Sequence, residues 1–127
     1  MVYLWVALGG ALGSVARYAC SASAARWLGA GFPWGTLFVN VSGSFVIGVL
    51  AALVTTDGRP TLGPDARAFF IVGILGGFTT FSSFSLETLN LARSGALGAA
   101  AANAGLSLVS CLAAVWLGFA AGALLNR

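Results

Sequence analysis

The chain has 127 residues, 59% of them hydrophobic and 7% charged, with a mean hydropathy of +0.97. A soluble globular domain carries about 25% charged residues, so a water-soluble monomer is excluded and lipid tails must face most of the surface. The net charge of +3 comes from single, scattered arginines set against two aspartates and one glutamate, which excludes the clustered basic patch of a nucleic-acid binder.

The apolar sequence sets the number of spans. Three spans of about 20 residues would leave too much apolar chain in water, and five would leave no loops. The length therefore predicts an all-α membrane protein of about four transmembrane helices, a single domain over residues 1–127.

The first span is predicted over about 3–28. No basic region precedes its apolar start and the helical pattern runs past Gly13, so it reads as a span rather than a signal peptide. The break 29–33 contains two glycines and Pro33, after which a second span runs over about 34–54. A polar loop follows up to Arg67, carrying Pro60, Pro64 and the charges Asp57, Arg59 and Asp65. The third span is predicted over about 68–90, a turn with Arg93 follows, and the fourth covers about 96–125. Trp5, Trp27 and Trp34 fall near span ends, as interfacial aromatics do.

Four spans put Arg59, Arg67 and Arg127 on one side and Arg26 and Arg93 on the other. Orientation in a membrane follows an excess of Lys and Arg, and a difference of one barely specifies a direction. The sequence thus predicts dual topology, with oppositely inserted copies pairing as an antiparallel homodimer. One arginine sufficing to orient every copy is the competing expectation.

Small residues recur at four-residue spacing in Gly9 and Gly13, Ser44 and Gly48, Ala100 and Ala104, and Gly118 and Gly122, a pattern that lets helix backbones approach closely in lipid. With no histidine, and with Cys20 and Cys111 standing alone, zinc and thiol-redox chemistry lack their ligands, and the cysteines read as small packing residues. Polar groups within hydrocarbon are costly unless partnered or wetted, so their placement carries information. Thr36, Asn40 and Ser44 share a face of the second span, as Asn103, Ser107 and Cys111 do on the fourth, with Ser110 beside them. Each alone reads as interhelical hydrogen bonding; two aligned tracks also fit a narrow, polar, uncharged path across the membrane.

The third span contains Gly76-Gly77-Phe78-Thr79-Thr80, a poor helix segment, and a break is predicted there. Freed carbonyls at such a break can coordinate a cation, and two antiparallel copies crossing there would enclose a buried Na⁺ site. Beyond it, Phe81 and Phe84 share a helical face with Ser82, Ser83 and Ser85 interleaved. Phenyl pairs in membranes usually meet lipid or a neighbouring helix. With hydroxyls beside them, the positive ring edges and hydroxyl protons can replace the water around a small anion without trapping it. Arg17, midway along the first span, should face the bundle or a water-filled vestibule and concentrate anions there. Glu87, three residues past Phe84, either hydrogen-bonds a neighbouring helix or acts as a mobile gate.

With these residues placed, the chain resembles the CrcB/Fluc family of fluoride channels over essentially its whole length. The resemblance lies in Gly9-Gly10-Ala11-Leu12-Gly13-Ser14-Val15-Ala16-Arg17-Tyr18, Gly35-Thr36-Leu37-Phe38-Val39-Asn40-Val41-Ser42-Gly43 and Gly76-Gly77-Phe78-Thr79-Thr80-Phe81-Ser82-Ser83-Phe84, in that order. It implies a dual-topology homodimer in the cell inner membrane, with two fluoride pores lined by both subunits and a central structural Na⁺. Carried over, Asn40, Phe81 and Phe84 line the pore with Ser82 and Ser83 nearby, and the backbone carbonyls of Gly76 and Thr79 hold Na⁺. The family's fourth-span track corresponds to Asn103, Ser107 and Cys111, and Asn103 departs from the tyrosine common at its position. The implied activity is passive export of fluoride that entered as the neutral acid and ionised in the cytoplasm. No nucleotide-binding motif and no series of intramembrane acids or histidines accompanies it. A four-helix drug/proton antiporter would suit the length and charge balance, but needs a carboxylate on the first span, and residues 1–28 contain no acid. A structural subunit whose polar residues only bind helices together is the remaining rival.

Overall fold

The structure is a computed structural model that describes residues 1–54 and 62–125. Asp57, Arg59, Pro60 and Arg127, and with them part of the polar loop and of the charge comparison, lie outside the described residues.

The described residues contain helices and no strands. Helix α1 spans Val2–Leu28, α2 Trp34–Val54, α3 Pro64–Arg67, α4 Gly76–Phe78, α5 Phe81–Arg93 and α6 Leu97–Leu125, with a π-helical segment, Ala68–Leu75, joining α3 to α4. Three stretches are long and apolar enough to cross a membrane: Trp34–Val54, Pro64–Arg93 and Leu97–Leu125. The 27 residues of α1 would reach about 40 Å, but this helix is more polar, carrying Arg17, Arg26 and three serines.

Local chemistry sets the boundaries. Helix α1 stops at Gly29, whose φ of +84° is readily reached by glycine. Helix α5 ends in a Schellman motif: Ala96 N–H donates to Leu91 C=O and Gly95 N–H to Ala92 C=O, with Gly95 at φ +85°. The third hydrophobic stretch begins at Pro64, inside the expected loop, because proline at the first helical position and Asp65 in the first turn both favour a helix start.

Two seams hold the helices together. Helix α2 packs along α6, and α1 along the π-helical segment and α4. Both seams are close backbone approaches at glycines, among them Gly9, Gly13, Gly48, Gly118 and Gly122 of the four-residue repeats. A Cβ at Gly77 would lie 2.6 Å from Gly10 O, and one at Gly122 2.6 Å from Val49 O. A Cβ at Gly13 would collide with Ile74 O, and one at Gly118 with Phe45 O. Helix α5 is attached differently, by side-chain hydrogen bonds to α2 and α6.

Candidate functional site

Between α4 and α5 the chain leaves the helix for two residues: Thr79 has φ −83°, ψ 156° and Thr80 has φ −155°, ψ 117°. The two residues are the threonines that end the weak segment 76–80. Gly76 and Gly77 stay helical, and the lack of a side chain at Gly77 admits α1, from which Arg17 Nε–H donates to Gly77 C=O at 3.0 Å. Arg17 is half-buried and thus spent, at least in part, on a backbone carbonyl.

The extended pair is held by Asn40 on α2. Its Nδ2 donates to Thr80 C=O at 2.9 Å and its Oδ1 accepts from Thr80 N–H at 2.7 Å, so the amide replaces both backbone partners that the helix would have supplied. Thr80 also caps α5, its Oγ1 accepting from Ser83 N–H at 3.2 Å, and its hydroxyl meets the Ser83 hydroxyl at 3.1 Å and that of Ser82 at 3.3 Å. These bonds redirect two helical donors. Thr80 N–H no longer closes a turn on Gly76 C=O, nor Ser83 N–H on Thr79 C=O, which leaves those two carbonyls without their helical donors.

Beside this interruption lies a partly open groove of about 540 Å³. Asn40, Gly76, Thr79, Phe81, Phe84, Ser107 and Cys111 line it together with Ser44, Thr80 and aliphatic side chains; no lining residue is charged. The Phe81 and Phe84 rings are paired with centroids 5.2 Å apart and planes at 53°. They differ in setting: Phe84 is 8% exposed and Phe81 72%. Ser82 and Ser83 stand outside the lining, bonded around the Thr80 cap.

One helical turn away, Thr36 and Glu87 line a second cavity of about 520 Å³, walled by the 29–33 turn, Asn90 and Ser94. The Thr36 hydroxyl donates to Glu87 Oε1 at 2.8 Å. Glu87 Oε2 is buried without a hydrogen-bond partner among the described residues. Glu87 therefore bonds a neighbouring helix through one oxygen and keeps the other free beside the cavity.

Asn103 is 1% exposed and does not line the groove. Its Nδ2 donates to Thr88 Oγ1 at 2.9 Å, and the Thr88 hydroxyl donates to Phe84 C=O at 2.7 Å. The structure thus brings Asn40, Phe81, Phe84, Ser107, Cys111, Gly76 and Thr79 to one groove and sets Arg17, Glu87, Ser82, Ser83 and Asn103 around it. Two contributors were missed by sequence reasoning. Thr80 had a signal, a hydroxyl three residues ahead of Ser83 at a helix start. Thr88 had none, since its partner on α6 is 15 residues away.

Residues 4–119 match the family described as CrcB-like protein, Camphor Resistance (CrcB). The chain belongs to this CrcB family. It is 58% identical over 125 residues, 98% of its length, to the protein named fluoride-specific ion channel FluC of Opitutus terrae, covering 95% of that protein. It is 56% identical over its full length to the FluC of Rhodospirillum rubrum, and 50% identical to that of Methylocella silvestris, covering 98% and 97% of them. CrcB membership and the apolar helices make this a membrane protein, and an ion-transport family rather than an enzyme family.

Proposed function

We propose that this protein is a passive fluoride channel. The observation that carries the reading is the paired Phe81 and Phe84 rings beside an uncharged groove floored by Asn40, Ser107 and Cys111. Ring edges and hydroxyls offer partial positive charge to a dehydrated anion without a fixed cation that would hold it, the balance conduction needs. The names of the CrcB relatives supply the ion.

The channel works as an antiparallel homodimer with two pores in the cell inner membrane, α1 serving as the fourth span. A partly open groove, with Phe81 at its lining 72% exposed, supports closure by a second copy. The near balance of arginines supports insertion both ways. Fluoride that enters as the neutral acid and ionises inside leaves through the pores down its electrochemical gradient, which lowers its toxicity. The chain also fits a structural Na⁺ at the dimer centre. Gly76 and Thr79 each present a carbonyl oxygen deprived of its helical donor, neutral hard donors of the kind that hold Na⁺ at interrupted membrane helices. When bound, the ion would cross-link the two copies; Asn40 keeps the interruption open for it.

Fluoride-electrode recording on vesicles holding the purified protein tests the reading. Valinomycin-supported passive efflux is expected, and Phe81→Ile or Phe84→Ile should abolish it while the dimer persists. Inert vesicles, or unaltered efflux from both variants, refute the assignment.

A further inference from the structure

The family resemblance places Asn103 on the ion path, yet its side chain is buried away from the groove and spent on Thr88. Thr88 sits one turn after Phe84 on α5 and uses its hydroxyl twice, accepting from Asn103 Nδ2 at 2.9 Å and donating to Phe84 C=O at 2.7 Å. A donation back to the preceding turn engages a carbonyl of the helix itself, and here the donating hydroxyl is also tied to a second helix. The N-terminal end of α5 is tied as well, through Asn40 and Thr80. The turn that carries the phenyl pair is therefore clamped from both ends, on one side to α2 and on the other to α6.

We infer that Asn103 and Thr88 form a clasp that sets the position of Phe84, both acting as positioning residues rather than as contacts to the permeating ion. The clasp exists in the fold itself; its consequence for flux rests on the channel reading above. An amide at position 103 suits this role because it donates to a hydroxyl that must itself keep its proton for Phe84 C=O.

The test is a double-mutant cycle with two readouts. Thr88→Val and Asn103→Leu keep volume and remove the bond; Thr88→Ser keeps the hydroxyl. With 4-fluorophenylalanine at position 84, the fluorine resonance of the purified dimer should be single in the parent and in Thr88→Ser. It should broaden or split in Thr88→Val and in Asn103→Leu, and no further in the double variant. Fluoride efflux should fall by about threefold to twentyfold in either single variant, the range expected from one interhelical hydrogen bond, with the double variant matching the singles and Thr88→Ser within about twofold of the parent. If Thr88→Val yields no dimer, Thr88→Ala serves in its place. An unchanged resonance in both single variants, or efflux losses that multiply in the double variant, overturns the clasp. A parent that passes no fluoride while its resonance responds as described sinks the channel reading and leaves the clasp standing.

Discussion

Along the α2–α6 seam, backbone meets backbone at glycines, and a Cβ at Gly48 or Gly118 would strike a carbonyl of the facing helix. Helix α5 is held by a few polar atoms instead: Asn40 on Thr80, Thr36 on Glu87 and Asn103 on Thr88. In lipid there is little hydrophobic drive between helices, so close packing and hydrogen bonds are the available forces. The molecule assigns them to different regions. Packing builds the scaffold, and directional bonds fix the segment whose side chains line the groove.

That contrast predicts how each region fails. Gly118→Leu should have the largest effect, because its side chain meets the Phe45 backbone, which cannot move aside. A loss of about 3 kcal/mol or more is expected, read as failure to recover monodisperse protein in detergent. Gly105→Leu on the same helix, where a Cβ meets open space, should be recovered normally; equal loss in both would deny the seam its special status.

Asn40→Leu comes next. It strands the Thr80 N–H and C=O together, for about 2–5 kcal/mol, and should lower the thermal midpoint followed by tryptophan fluorescence. Asn40→Asp can still accept from Thr80 N–H but, when ionised, cannot donate to the carbonyl, so its midpoint should fall between those of the parent and Asn40→Leu. Leucine and parent melting together would mean that the amide does not hold the interruption.

The smallest effect is expected at Thr36→Val, which removes the donor to Glu87 Oε1 and one tie between α2 and α5. The midpoint should drop by about 1 kcal/mol equivalent, with Thr36→Ser restoring it. A drop as large as that of Asn40→Leu would show that Glu87, not Thr80, is the main anchor of α5.

Composition and periodicity determined much of this. A chain with 7% charge cannot bury itself from water, so apolar helices follow, and Gly29, Pro33 and Gly95 mark turns that the backbone then makes. The four-residue repeats at Gly9, Gly13, Gly118 and Gly122 were legible because a missing side chain is a local property with one geometric use in a helix seam. The phenyl pair and the groove-lining Asn40, Ser107 and Cys111 were legible from helical spacing and from family motifs. What tertiary structure alone decided was how the polar atoms are partnered. Within the weak segment 76–80, Gly77 stays helical with α1 packed on it, and the departure falls at Thr79 and Thr80, where a side chain 40 residues before Thr80 offers both a donor and an acceptor. The pairing of Asn103 with Thr88 was hidden for the same reason. A hydrogen bond needs its two atoms within about 3 Å and in line, and the sequence fixes which atoms exist but not which of them meet.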